Sequence, residues 1–116
     1  MDSILNTVKK HLGISDNYNV FDIDIIDDIN YAIDILTQLG VNYPNTYRIN
    51  GSTELWSDYV TDARLLGLCQ TYIIKKVKLL FDPPTNSVHI NSINQILDET
   101  TWRIHEYLMS SSEGGN

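Results

Sequence analysis

The chain has 116 residues, 42% of them hydrophobic, and a formal net charge of −7. That length supports one domain around one modest core, and that charge excludes nucleic-acid binding driven by phosphate attraction and docking on a membrane through a polybasic surface. The acid excess is uneven: residues 1–58 hold 9 acids and 3 bases, residues 59–116 hold 6 acids and 5 bases, so −6 of the −7 belongs to the first half.

The first predicted helix runs from about Asp2 to Leu12, with Ile4, Leu5, Val8 and Leu12 at helical spacing and Gly13 as its stop. Residues Ile14 to Val20 read as a loop. The second helix runs from Asp22 to Leu39 and closes at Gly40. Ile25, Ile26, Ile29, Ala32, Ile33, Leu36 and Leu39 share one arc, and Asp24, Asp27, Tyr31, Asp34 and Gln38 fall opposite. Asp22 suits the N-cap, and Asp24 sits in the first turn, where the helix dipole favours a carboxylate.

Residues Val41 to Thr61 break the helical period. Asn50-Gly51 suits a type I′ turn, which predicts either a small hairpin over Tyr47 to Glu54 or an irregular loop with one turn. Trp56 and Tyr59 are expected to fold back on the helices as a lid. The third helix runs from about Thr61 to Phe81 and stops at Asp82-Pro83-Pro84, because Pro83 disfavours the helical conformation at Asp82. Its apolar arc, centred on Leu65, Leu66, Cys69, Ile73, Val77, Leu80 and Phe81, is wide enough to require a central position or a partner on a second side. The fourth helix runs from about Ser87 to Met109, with Ile90, Ile93, Ile96, Leu97, Ile104 and Leu108 on its core face. The polar tail 110–116 is expected to be mobile. The expected fold is therefore all-α: a small bundle of four helices, residues 1–109, with an irregular loop or small hairpin between the second and third.

A single Cys excludes an internal disulfide framework and a Cys-rich zinc site. No apolar run approaches the roughly 18 residues of a membrane span. The opening residues lack the basic flank and apolar stretch of a secretory signal, so a soluble intracellular protein is expected. The Asn50-Gly51-Ser52 sequon is then a chance match. No nucleophile elbow, P-loop or dinucleotide fingerprint occurs, the three histidines are far apart in sequence, and Cys69 lies on a core face. No enzyme, cofactor or metal is expected. Asp24, Asp27 and Asp34 read as a solvated acidic face or a docking surface for a basic partner. Lys76 falls inside an apolar arc and must either snorkel out or pair with an acid, Asp58 and Asp62 being candidates. Trp102 projects away from its helix's core face with Met109 one heptad later, which reads as a contact surface or as a side chain tucked under a loop.

The stretch Tyr72-Ile-Ile-Lys-Lys-Val-Lys-Leu-Leu-Phe-Asp-Pro-Pro84, followed by Thr101-Trp102-Arg103, resembles small head–tail connector (adaptor) proteins of tailed bacteriophages. In that family a helix ends in a pattern like Tyr-x-x-x-Lys-x-Arg-Leu-Leu-Phe-Asp-Pro-Pro, and a later helix carries Glu-Trp-Arg-Leu. Lys76, Phe81, Asp82, Pro83, Pro84, Trp102 and Arg103 match those positions; Lys78, Thr101 and Ile104 depart from them. Phe21-Asp22-Ile-Asp24 and Trp56-Ser57-Asp58-Tyr59 also fit.

The resemblance implies a structural, non-enzymatic subunit at the head–tail junction of the virion, present in the host cytoplasm during assembly. It implies a ring, dodecameric to match the portal, that docks on the portal protein and extends the DNA channel without sequence-specific DNA contacts. It also implies an attachment surface for a stopper or tail-completion protein. Asp24, Asp27, Asp34, Lys76, Lys78, Trp102, Arg103 and Met109 are the interface candidates. A subunit that waits as a monomer would order its Val41 to Tyr59 segment or its tail on assembly. The alternative is a small acidic binding module that mimics DNA through the second helix.

Overall fold

A computed structural model of the chain describes residues 3–114. Helix α1 spans Ile4–His11, α2 Asp22–Leu39, α3 Trp56–Tyr59, α4 Ala63–Phe81 and α5 Ser87–Gly114. No strand occurs among the described residues, so the all-α expectation holds. Asp2, read as the start of the first helix, and residues 115 and 116 of the tail lie outside the described residues. α5 continues five residues beyond the expected end at Met109.

The helix ends follow local chemistry. Ser3 caps α1 by accepting the Asn6 N–H at 3.2 Å. Gly13, at φ 77°, takes the left-handed position just past that helix. Asp62 caps α4, and Asp82, at φ −143° and ψ 66°, leaves the helical conformation before Pro83. Gly40, at φ 126°, closes α2, and a Cβ there would stand 3.1 Å from Leu108 Cδ1. An L side chain at position 40 would meet both backbone strain and the α5 contact.

Three contacts fix the topology. Phe21 at the start of α2 packs edge-on against Phe81 at the end of α4, with ring centroids 5.5 Å apart. The Tyr107 hydroxyl of α5 donates to Asp62 at the start of α4. Gly40 at the end of α2 approaches Leu108 of α5. Helices α2 and α5 therefore run one way and α4 runs between them the other way. α4 is central, which accounts for its wide apolar arc. Leu65, Cys69, Tyr72, Ile73 and Val77 are its buried side, packed with Ile25, Ile29, Ala32, Ile33 and Leu36 of α2. Leu80, placed by periodicity at the centre of the arc, is 43% exposed, bordering solvent beside the Phe21–Phe81 contact.

The segment between α2 and α4 is irregular, not a hairpin. Neither Asn50 nor Gly51 has positive φ, so no type I′ turn forms. The chain instead passes a cis Tyr43–Pro44 peptide and is clamped to α2 by Asn30, whose side-chain N–H donates to Ile49 O at 3.0 Å while its carbonyl accepts Ile49 N–H at 2.9 Å. One turn of helix, α3, then buries Trp56 and Tyr59 in the core, and Trp56 Nε1 donates to Thr7 Oγ1 at 3.0 Å. The two aromatics fold back as expected, as core residues and not as a lid.

Asp22 does not cap α2. The N-cap is Phe21, which offers no side-chain bond, and the Asp22 carboxylate turns instead to Lys9 Nζ at 2.8 Å. Lys9 is fully buried, and its ammonium also reaches Asp16 O at 3.3 Å. An ammonium without water needs its charge met, so this pair outcompetes the cap.

Candidate assembly surfaces

The outer face of α2 carries the acid excess. Asp24 and Asp27 are exposed, together with Ile23 and Tyr31. Asp34 is half-buried and paired with Arg48 at 2.9 Å, so it adds little free charge. Burial, with the Asp24 and Asp27 carboxylates beside it, raises the Asp28 carboxyl above its ordinary range. The acids are crowded and do not converge on a site. Among the described residues no group of three or more His, Cys, Asp and Glu is placed to hold a metal ion.

Lys76 is half-buried and makes no ion pair with Asp58 or Asp62. Its ammonium stands 5.9 Å from the centroid of the Tyr31 ring on α2, a cation–π contact. The family-like block at the end of α4 is held by its own charges: Lys78 Nζ lies 3.0 Å from Asp82 Oδ2 across one turn. Phe81 packs on Phe21, whose other neighbour is Tyr18 at 5.8 Å, and all three rings border solvent with Val20 and Leu80. Pro83 is exposed, and Pro84 lines a groove between α4 and α5.

At the opposite end of α4, Trp102 and Met109 face outward at 63% and 50% exposure. They are not covered by a loop. Trp102 borders a second groove of about 580 Å³ with Arg64, Gly67, Leu68 and Tyr107, and Arg103 beside it pairs with Glu99 at 3.0 Å. Trp102 thus stands uncovered beside an open groove. A family model described as Phage connector protein matches residues 4–109.

The chain belongs to the phage connector family. The match takes in α1 to α4 and α5 as far as Met109, including both motif blocks. Its role is that of a phage connector, and membership implies a virion protein that interacts with portal and tail proteins. No curated protein and no solved structure matches the chain. No helix of this connector, among the described residues, is long and apolar enough to cross a membrane.

Two features of the connector escape sequence inspection. His11 and His89, 78 positions apart, line the same groove. Asp62 links two helices: it accepts from Tyr107 and from the N–H groups of Arg64 and Leu65 at 3.0 and 3.1 Å. The Tyr107 bond first, then the backbone bonds, hold its carboxyl below the ordinary value of 3.8. A depressed folded value means that the stabilisation is complete above 3.8 and is lost as pH falls through the folded value. Asp62→Asn is expected to be less stable than wild type at neutral pH and to lose less stability between about pH 5 and about pH 3. Urea midpoints across that range test this; parallel losses in the two proteins would refute it.

Proposed function

We propose that this connector is the repeated, non-enzymatic subunit of a ring on the tail-facing end of the portal. The ring is dodecameric to match the portal, extends the DNA channel without sequence-specific DNA contacts, and offers the attachment surface for a stopper or tail-completion protein. The match to the connector family over residues 4–109 carries the reading. The surfaces suit it: a cyclic assembly needs two different lateral faces plus axial contacts, and the chain exposes an acidic stripe on α2, an aromatic edge at Phe21 and Phe81, and the Trp102 surface.

Electron microscopy of the purified portal mixed with this protein tests the reading. Added ring density on the tail-facing end is expected, and an unchanged portal overturns it. The Trp102 surface serves an axial contact. A buried interface Trp contributes about 2 kcal/mol or more, roughly 30-fold in Kd. Trp102→Ala is expected to weaken binding to the portal or to the tail-completion protein by that factor, with the urea midpoint nearly unchanged because Trp102 is exposed. Unchanged affinity for both partners would remove Trp102 from the docking surface.

A further inference from the structure

The outward side of α4 and the facing side of α5 enclose a groove of about 370 Å³. Ile74, Ile93 and Ile96 form its apolar floor, Lys75 and Lys78 stand on its rim, and His11 and His89 enter from α1 and α5. The acid nearest in sequence, Asp82, is engaged by Lys78, whereas Lys75 has no ion pair among the described residues. With Lys78 paired to Asp82, Lys75 supplies the free charge of the rim, a local reversal of sign in a chain of net charge −7. The outer stripe of α2 has the matching composition: Ile23, at 77% exposure, lies between the free carboxylates of Asp24 and Asp27 and the open edge of the helix.

The two faces also match in position. At 100° per residue, Lys75 and Lys78 lie on a different side of α4 from Cys69 and Ile73, with Ile74 at the border, and Lys76, on the Cys69 side, meets Tyr31 of α2. On α2, Ile25, Ile29 and Ile33 are buried and Ile23, Asp24 and Asp27 are exposed, with Tyr31 at the inner edge of that stripe reaching Lys76 of α4. The two faces are therefore separate surfaces on different helices. They are also level along the α4 axis: Phe21 touches Phe81, Asp24 is one turn into α2 from Phe21, and Lys78 is one turn back along α4 from Phe81.

We propose that the acidic stripe of α2 on one copy seats in the Lys75–Lys78 groove of the next copy, with Ile23 on the isoleucine floor. The proposal rests on the ring reading and assigns its lateral faces. Such a contact is head-to-tail, and with α4 set along the ring axis, faces at one level add little rise per copy, which favours a closed ring over a steep filament.

Two reciprocal charge reversals test the assignment, with assembly on the portal followed by light-scattering mass and folding by circular dichroism. Asp24→Lys with Asp27→Lys sets lysines against lysines; Lys75→Glu with Lys78→Glu sets acids against acids. Each variant alone is expected to need roughly tenfold or more protein to assemble than wild type. An equal mixture of the two restores the contact at every junction and is expected to assemble as an alternating ring. Lys75→Glu alone breaks no ion pair of the fold and repeats the second variant without the Lys78–Asp82 loss. Variants that assemble like wild type, or a folded mixture that stays unassembled, overturn the assignment while wild-type loading on the portal leaves the ring reading standing. Wild type that never loads on the portal overturns both.

Discussion

Replacing Asp22 with alanine is expected to destabilise the protein by about 3 kcal/mol, whereas replacing Lys9 with methionine is expected to cost less than about 1 kcal/mol. The asymmetry follows from burial. The Lys9 side chain is 1% exposed and the Asp22 side chain 24%. Without Asp22 the ammonium keeps one carbonyl, Asp16 O at 3.3 Å, and has no counter-charge where water does not reach. Without the ammonium, Asp22 rotates into solvent at the start of α2, where the helix dipole also favours a carboxylate, and methionine refills the space of the lysine stem. In a chain of this size about 3 kcal/mol corresponds to on the order of 10 °C in Tm. Urea denaturation of the two variants decides it. Equal costs, or a larger cost for Lys9→Met, would mean that the pair is not held dry.

Asn30→Ala is expected to cost about 2–4 kcal/mol, because it strands two buried backbone groups at once. Ile49 is fully buried, and both its N–H and its C=O bond to the Asn30 side chain. Among the described residues no other group bonds to them, and the segment forms no sheet. Asn30→Asp keeps the acceptor for the N–H but sets a carboxylate against the Ile49 carbonyl, and it is expected to cost at least as much. Hydrogen exchange at Ile49 provides a second readout. In Asn30→Ala its amide is expected to lose protection by more than the amides of Ile73 and Val77 in α4, which report only global opening. A uniform loss across all three would show that the clamp carries no local load.

The acidic stripe and the basic groove explain why the net charge of −7 is a poor guide to this surface. The sum averages an α2 face crowded enough to raise Asp28 and a groove that carries two lysines and two histidines. The acidic-module alternative used Asp24, Asp27 and Asp34 as one unit. In the fold Asp34 is tied to Arg48, so the free part of that face is the first two turns of α2. That is also the part level with the groove.

Periodicity identified the apolar arcs of α2 and α4, and the stops at Gly13, Gly40 and Asp82-Pro83 were read from residue type. Each depends on neighbours within a turn, which the chain carries in order. The outward position of Trp102 was legible for the same reason. The one-turn helix α3 was not, because four residues are too short to show a period and its stability comes from burying Trp56 and Tyr59. The expected Asn50-Gly51 hairpin failed where a local turn preference met a stronger long-range clamp from Asn30. Asp22 was read as a cap because its position fits one, and the unseen competitor was a lysine in another helix. Cys69 behaved as read: it is buried, and burial pushes its thiol up to about 12, away from nucleophilic use.

The sequence by itself determined the helical class, most helix ends, the outward Trp102 and the motif blocks that resemble the connector family, since all of these are local in the chain. Only the tertiary structure decided that Lys9 is buried with Asp22, that Asn30 holds Ile49, and that His11 and His89 share one groove with Lys75 and Lys78. Those are relations between segments tens of residues apart. A helical period tells each segment which side to bury, but not which neighbour it will bury that side against.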